Sequence, residues 1–119
     1  PPYKDIVTGK IKGKVDITYV ENKSCEDCFN VSMLKEAFQG LGVYIDNERY
    51  VDISSAQGKS ILDKYNITAV PTVILSDDLM DYADAMKERV SQIGTFEDDD
   101  SYVFRKIEAL GNVKFQELS

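Results

Sequence analysis

Apolar and polar positions alternate along Val15 to Val20, which places Val15, Ile17 and Tyr19 on one side. The β-branched and aromatic content of this stretch predicts a strand. A polar loop from Glu21 to Ser24 follows and leads into Cys25-Glu26-Asp27-Cys28. The period then changes, with Val31, Leu34, Phe38 and Leu41 recurring at spacings of three and four, a helical stripe that Gly40 and Gly42 stop. On this reading Cys25 stands at the start of a helix that follows a strand. Between Val43 and Ser54, Tyr50 to Ile53 is the better strand candidate. Ser54 or Ser55 caps a second helix running to about Tyr65, with Ile61, Leu62 and Tyr65 inward and Asn66 near its end. Val70-Pro71-Thr72-Val73-Ile74-Leu75 reads as a buried strand introduced by proline. Ser76-Asp77-Asp78 caps a third helix through Arg89, with Leu79, Tyr82, Ala83 and Met86 on one side.

The two ends are less regular. Residues 1–14 carry Gly9, Gly13 and a short Ile6-Val7 pair, and read as a loosely defined lead-in. In residues 90–119, Ile93 to Phe96 and Tyr102 to Phe104 suit a hairpin about the acidic turn Glu97 to Asp100. Val103, Ile107 and Leu110 also fit a strand plus helix, so that alternative stands beside the hairpin, with a short strand at Val113 to Phe115. No repeat or low-complexity linker interrupts the pattern, and the expected organisation is one domain over residues 1–119.

Composition narrows the chemistry. Of 119 residues 43% are hydrophobic, enough for a core. No apolar run approaches the roughly 18 residues that a helical membrane span requires. Lys and Arg number 14 against 21 Asp and Glu, a net charge of −7 that argues against a nucleic-acid groove. Histidine is absent, which excludes Ser–His and Cys–His pairs and imidazole-based zinc sites. The opening Pro1-Pro2-Tyr3 reads as a processed or excised stretch. A membrane tether outside this chain therefore stays open, with a lean towards an extracytoplasmic or tethered domain.

The two cysteines become the main reactive groups. Positions i and i+3 in a first helical turn can meet the roughly 4.4–6.8 Å Cα separation of a disulfide. Free N–H groups at that helix end would favour thiolate at Cys25. Cys25 would then form a mixed disulfide with a partner, and Cys28 would resolve it. Glu26 and Asp27 are expected to modulate the pair: their charge opposes thiolate, although first-turn carboxylates also suit a helix dipole. A structural disulfide or a shared thiolate metal site is the alternative; four metal ligands are not available, so neither metal nor other cofactor is expected.

Strand, Cys25-x-x-Cys28, helix, strand, helix and then Tyr65-Asn66-Ile67-Thr68-Ala69-Val70-Pro71-Thr72 resembles the thioredoxin superfamily, over roughly Val15 to Leu75. The resemblance implies an α/β, thioredoxin-like three-layer sandwich, with a mixed central sheet of four or five strands flanked by helices. It implies that Cys25 attacks and Cys28 resolves. It also implies that Pro71 is a cis-proline facing them, with Val70 presenting backbone to an extended substrate. Thioredoxins proper carry Trp-Cys-Gly-Pro-Cys, whereas Ser24 precedes Cys25 here and tryptophan is absent. A buried aspartate six residues before the first cysteine is replaced by Tyr19, with Asp16 three residues earlier.

The function so implied is a thiol–disulfide oxidoreductase, a monomer acting on protein thiols and disulfides with an unidentified upstream electron donor. The alternative is a binding or chaperone-type domain of the same fold with little redox turnover. Metal carriage by the two thiolates ranks last. The acidic run Glu97 to Asp100 lacks the spacing of a calcium loop and reads as a solvated turn. Tyr3, Phe29, Tyr44 and Tyr50 read as core or rim, Phe29 as a border of the partner groove.

Overall fold

A computed structural model describes residues 1–118. Its centre is a five-stranded sheet in the order β4-β3-β6-β8-β7, built from β3 (Lys14–Glu21), β4 (Tyr44–Asp52), β6 (Thr72–Leu75), β7 (Gly94–Phe96) and β8 (Tyr102–Phe104). β4 runs parallel to β3, and the other neighbours pair antiparallel, so the sheet is mixed. The helices are α1 (Ser32–Gly40), α2 (Ala56–Lys64) and α3 (Asp84–Ser91). Two short ladders lie outside the sheet: β1 (Tyr3–Lys4) with β2 (Ile11–Lys12), and β5 (Ala69–Val70) with β9 (Gln116–Glu117). The fold is the expected mixed α/β sandwich.

Side-chain alternation divides the core into two layers. Val15, Ile17 and Tyr19 of β3 join Leu34 and Phe38 of α1, Val90 of α3, and Tyr102 and Phe104 of β8. On the opposite face Val20, Val70, Ile74 and Val103 meet Tyr65 and Ile67, with Ile61 and Leu62 of α2 packed against them. The first layer has the larger side chains, and Phe38 sets its ring edgewise to those of Tyr102 and Phe104. Deleting such a buried aromatic costs about 3–5 kcal/mol. Two glycines permit close approach: a Cβ at Gly58 would clash with the Asp52 carbonyl oxygen, and one at Gly94 would meet the Tyr102 ring.

Several expectations change. The first helix begins only at Ser32, because the Asn30 carboxamide oxygen accepts from the Ser32 N–H (3.0 Å) and hydroxyl (2.9 Å) and sets the first turn there. The cysteines therefore precede the helix, and the argument from a helix-end dipole at Cys25 does not apply. β4 is one strand from Tyr44, longer than the expected Tyr50 to Ile53, and it tolerates Asp46 to Arg49 because it is a largely exposed edge. Its register slips opposite Asp16, whose carboxylate accepts from the Asn47 N–H (3.1 Å) and carboxamide (3.0 Å) in place of a ladder bond.

The expected third helix is divided into a 3₁₀ turn at Asp77–Asp81 and α3. Tyr82 and Ala83 are extended between them, and Tyr82 is drawn inward, donating its hydroxyl to the Gly13 carbonyl (2.7 Å) and accepting from the Tyr44 N–H (2.8 Å). The lead-in holds the β1–β2 hairpin, whose turn the Asp5 carboxylate caps by accepting from the Val7 and Thr8 N–H groups. The Gly94–Phe96 and Tyr102–Phe104 hairpin forms, followed by a 3₁₀ turn at Ile107–Leu110. The last strand lies at Gln116–Glu117, not at Val113 to Phe115.

Candidate functional site

The loop after β3 is shaped by its own polar side chains. Asn22 accepts the Ser24 N–H on its side-chain oxygen (3.0 Å), and its backbone carbonyl accepts from the Cys25 N–H (3.0 Å). Asp52, at the end of β4, accepts the Lys23 N–H (2.7 Å) and the Ser54 N–H (3.0 Å) and also binds the Ser54 hydroxyl. These bonds, the Ser54 hydroxyl first, hold the Asp52 carboxyl below the usual carboxylate range. Asp52 thus ties the loop before Cys25 to the sheet and to the entry of α2, where the Ser55 hydroxyl accepts the Gly58 N–H (2.9 Å).

Within this loop Cys25 and Cys28 form a disulfide, with their Cα atoms 5.5 Å apart. Both residues are half-buried, while Glu26 and Asp27 between them are exposed. One Asp27 carboxylate oxygen lies 3.5 Å from Cys25 Sγ, and the other lies 3.9 Å from Lys114 Nζ. In the reduced state a carboxylate at that position can accept from the S–H.

Pro71 lines the same cleft as the pair. The Val70–Pro71 peptide is cis, both residues are buried, and Thr72 donates its hydroxyl to the Phe104 carbonyl (2.6 Å) to fix the start of β6. A cleft of about 320 Å³ is lined by Cys25, Cys28, Phe29, Asn30 and Pro71, among others. The structure therefore brings Cys25, Cys28, Glu26 and Pro71 to one opening. Val70 lies beside it, but its backbone edge is already paired with Gln116.

Tyr19, at the position of the aspartate in the resemblance, is fully buried and donates its hydroxyl to Glu48 (2.6 Å). Burial, then the Glu48 bond, pushes its phenol well above the usual value, so it stays neutral. Glu48 in turn is held below the ordinary carboxylate range by Tyr19 and by Lys35, which reaches it at 2.9 Å. Asp16 is exposed and does not line the cysteine cleft. Neither residue offers the pair a buried carboxylate.

The acidic turn is partly engaged. Asp99 accepts the Tyr65 hydroxyl (2.6 Å), and that bond leads the causes holding its carboxyl far below the usual range. Arg105 bonds the Tyr65 carbonyl (2.6 Å) and the Asn66 carbonyl (2.9 Å), tying the end of α2 to the hairpin. Tyr3, Tyr44 and Tyr50 are exposed, although Tyr50 stacks on Tyr19 at 4.4 Å between centroids. Among the described residues no group of three His, Cys, Asp or Glu is disposed to hold a metal ion.

Sequence reading missed Asn22, Asp52, Lys114 and Gln116. The polar residues beside a cysteine loop signal local side-chain bonds, but only the folded chain brings residues 52, 114 and 116 to that loop. No protein-family model, curated protein or solved structure matches the chain.

Proposed function

We propose that the chain is a thioredoxin-like thiol–disulfide oxidoreductase acting on protein disulfides and dithiols, with Cys25 as attacking and Cys28 as resolving sulfur. The carrying observation is the half-buried Cys25–Cys28 disulfide beside the Val70–Pro71 segment at one cleft. In the reducing direction Cys25 thiolate attacks a partner disulfide, a mixed disulfide forms, and one partner thiolate leaves. Cys28 thiolate then attacks Cys25 Sγ and expels the second partner thiolate. Two electrons pass to the partner, and the internal disulfide is regenerated. A partner dithiol reverses each step.

A second reading, a peptide-binding domain with little redox turnover, draws support from Asp27, whose carboxylate can accept from the Cys25 S–H. Insulin reduction with dithiothreitol as donor separates the two. The oxidoreductase reading expects turnover that Cys25→Ser abolishes. Background rates with the intact chain, alongside retained peptide binding, establish the binding domain instead.

A further inference from the structure

The segment from Lys114 to Leu118 bonds to Asn22 and Phe29 of the cleft lining and to residues 68–70, the backbone that leads into Pro71. On the cysteine side, the Phe29 N–H donates to the Lys114 carbonyl (2.9 Å), and the Asn22 carboxamide donates to Gln116 Oε1 (2.7 Å). On the proline side, Gln116 stands opposite Val70 and Glu117 opposite Ala69, antiparallel, and the Leu118 N–H donates to the Thr68 carbonyl (2.6 Å). By the alternation of antiparallel ladders, Val70 and Gln116 then form the pair that exchanges both backbone bonds.

This ladder is weak. It is a two-residue strand against a two-residue strand, apart from the central sheet. Lys114, Phe115 and Glu117 are exposed, and Leu118 is the side chain of the segment packed into the core layer around Val70. Short peripheral ladders with little apolar burial open far more readily than the body of a fold. Meanwhile the cleft at the sulfurs is lined by no residue of this segment, so a small thiol reaches the pair with the ladder closed.

We infer that Lys114–Leu118 is a displaceable strap, an internal strand that occupies the edge on which an extended protein partner would dock. Closed, it withholds the Val70 backbone from other chains. Open, it frees the edge for an antiparallel partner strand with an amide or hydroxyl side chain opposite Asn22. The partner is thus an extended peptide segment that competes with the strap for the same backbone bonds. The redox consequence rests on the oxidoreductase reading; the occupancy of the edge does not.

The full chain is compared with Gln116→Pro, which removes the N–H facing Val70, and with Leu118→Ala, which removes the apolar anchor. The probe is an end-blocked fluorescent nonapeptide with a central serine, followed by anisotropy. The same peptide, with a central cysteine joined to glutathione, reports exchange: the reduced chain becomes the disulfide and releases peptide thiol and glutathione.

Gln116→Pro is expected to bind the serine peptide about tenfold more tightly, and Leu118→Ala about threefold, because the open fraction scales apparent affinity. Peptide exchange rises in parallel, while dithiothreitol reduces all three chains within about twofold of one another. Equal peptide affinity in chains whose Val70 amide exchanges hydrogen faster overturns the strap. Measurable peptide exchange at equal rates in all three chains, with equal peptide affinity, also overturns it, yet leaves the oxidoreductase reading standing. Tighter binding with no exchange in any chain supports the strap and removes that reading. If proline prevents cooperative melting, Leu118→Ala decides by the same criteria.

Discussion

The cysteine turn is held in place by side chains, whereas the Pro71 segment opposite is held by backbone ladders and the core. Asn22 and Asp52 accept the loop N–H groups of Ser24 and Lys23 before Cys25, Asn30 accepts the Ser32 N–H where α1 starts after Cys28, and the charged residues between the cysteines are exposed. Across the cleft Val70, Pro71 and Thr72 are buried, and β6 pairs with β3 on one side and β8 on the other. One wall can therefore change its chemistry without unfolding the protein. The other cannot be altered without loosening the sheet. That division suits a site in which the sulfurs exchange bonds while the facing backbone acts as a fixed template.

The comparison breaks most visibly at the sulfur itself. Cys25→Ser should lower disulfide exchange by at least about 100-fold, as removal of a nucleophile does, while leaving the melting temperature within a few degrees. Loss of cooperative folding instead would mean that the turn carries the structure. On the opposite wall Thr72→Val leaves the Phe104 carbonyl without its donor and should cost about 1–3 kcal/mol in denaturant unfolding. Dithiothreitol reduction of the disulfide should then change less than about twofold, because the cysteine turn is held separately.

Asp52→Ala sharpens the contrast. It removes the acceptor for Lys23, should cost about 1 kcal/mol, and should change the alkylation rate of the reduced cysteines several-fold. An unchanged alkylation rate would show that the loop does not depend on its tether. Asp27→Asn removes the carboxylate 3.5 Å from Cys25 Sγ and should speed alkylation of the reduced chain at neutral pH, read as the rate of iodoacetamide labelling.

The smallest effect concerns acid. Asp99 has a depressed carboxyl in the folded chain, so its contribution is present above the ordinary carboxylate range and is lost as pH falls through that range and below it. Tyr65→Phe removes the leading cause and should flatten the acid limb of a stability–pH curve. A wild-type slope in that variant would assign the acid sensitivity to other carboxylates, such as Asp52.

The elements that position the site were legible where periodicity was strong. The alternation in β3 and the stripe of Val31, Leu34 and Phe38 both end in buried positions. Tyr65 is buried in the second core layer as the pattern puts it. The Val70 to Leu75 run is buried too, but it is divided at Pro71 into β5 and β6, with Val70 and Ile74 in the second layer and Val73 and Leu75 in the first. The failures share a physical source: polar side chains that bond to backbone, two residues away for Asn30 and across the fold for Tyr82 and Asp16. Asn30 starts α1 later than the apolar stripe suggests, Tyr82 divides a helix that its acidic cap announces, and Asp16 substitutes for a ladder bond in an otherwise polar strand. The occupied edge at Val70 was illegible for the same reason, since Gln116 is distant in sequence and its two-residue strand carries no apolar alternation.

The most direct test equilibrates the intact chain with mixtures of reduced and oxidised glutathione, alkylates free thiols and weighs the products. The account predicts one two-electron transition between a doubly alkylated dithiol and an unalkylated disulfide, with little glutathione-bound chain at any mixture. A pair that remains oxidised in every mixture while the chain stays folded would contradict it.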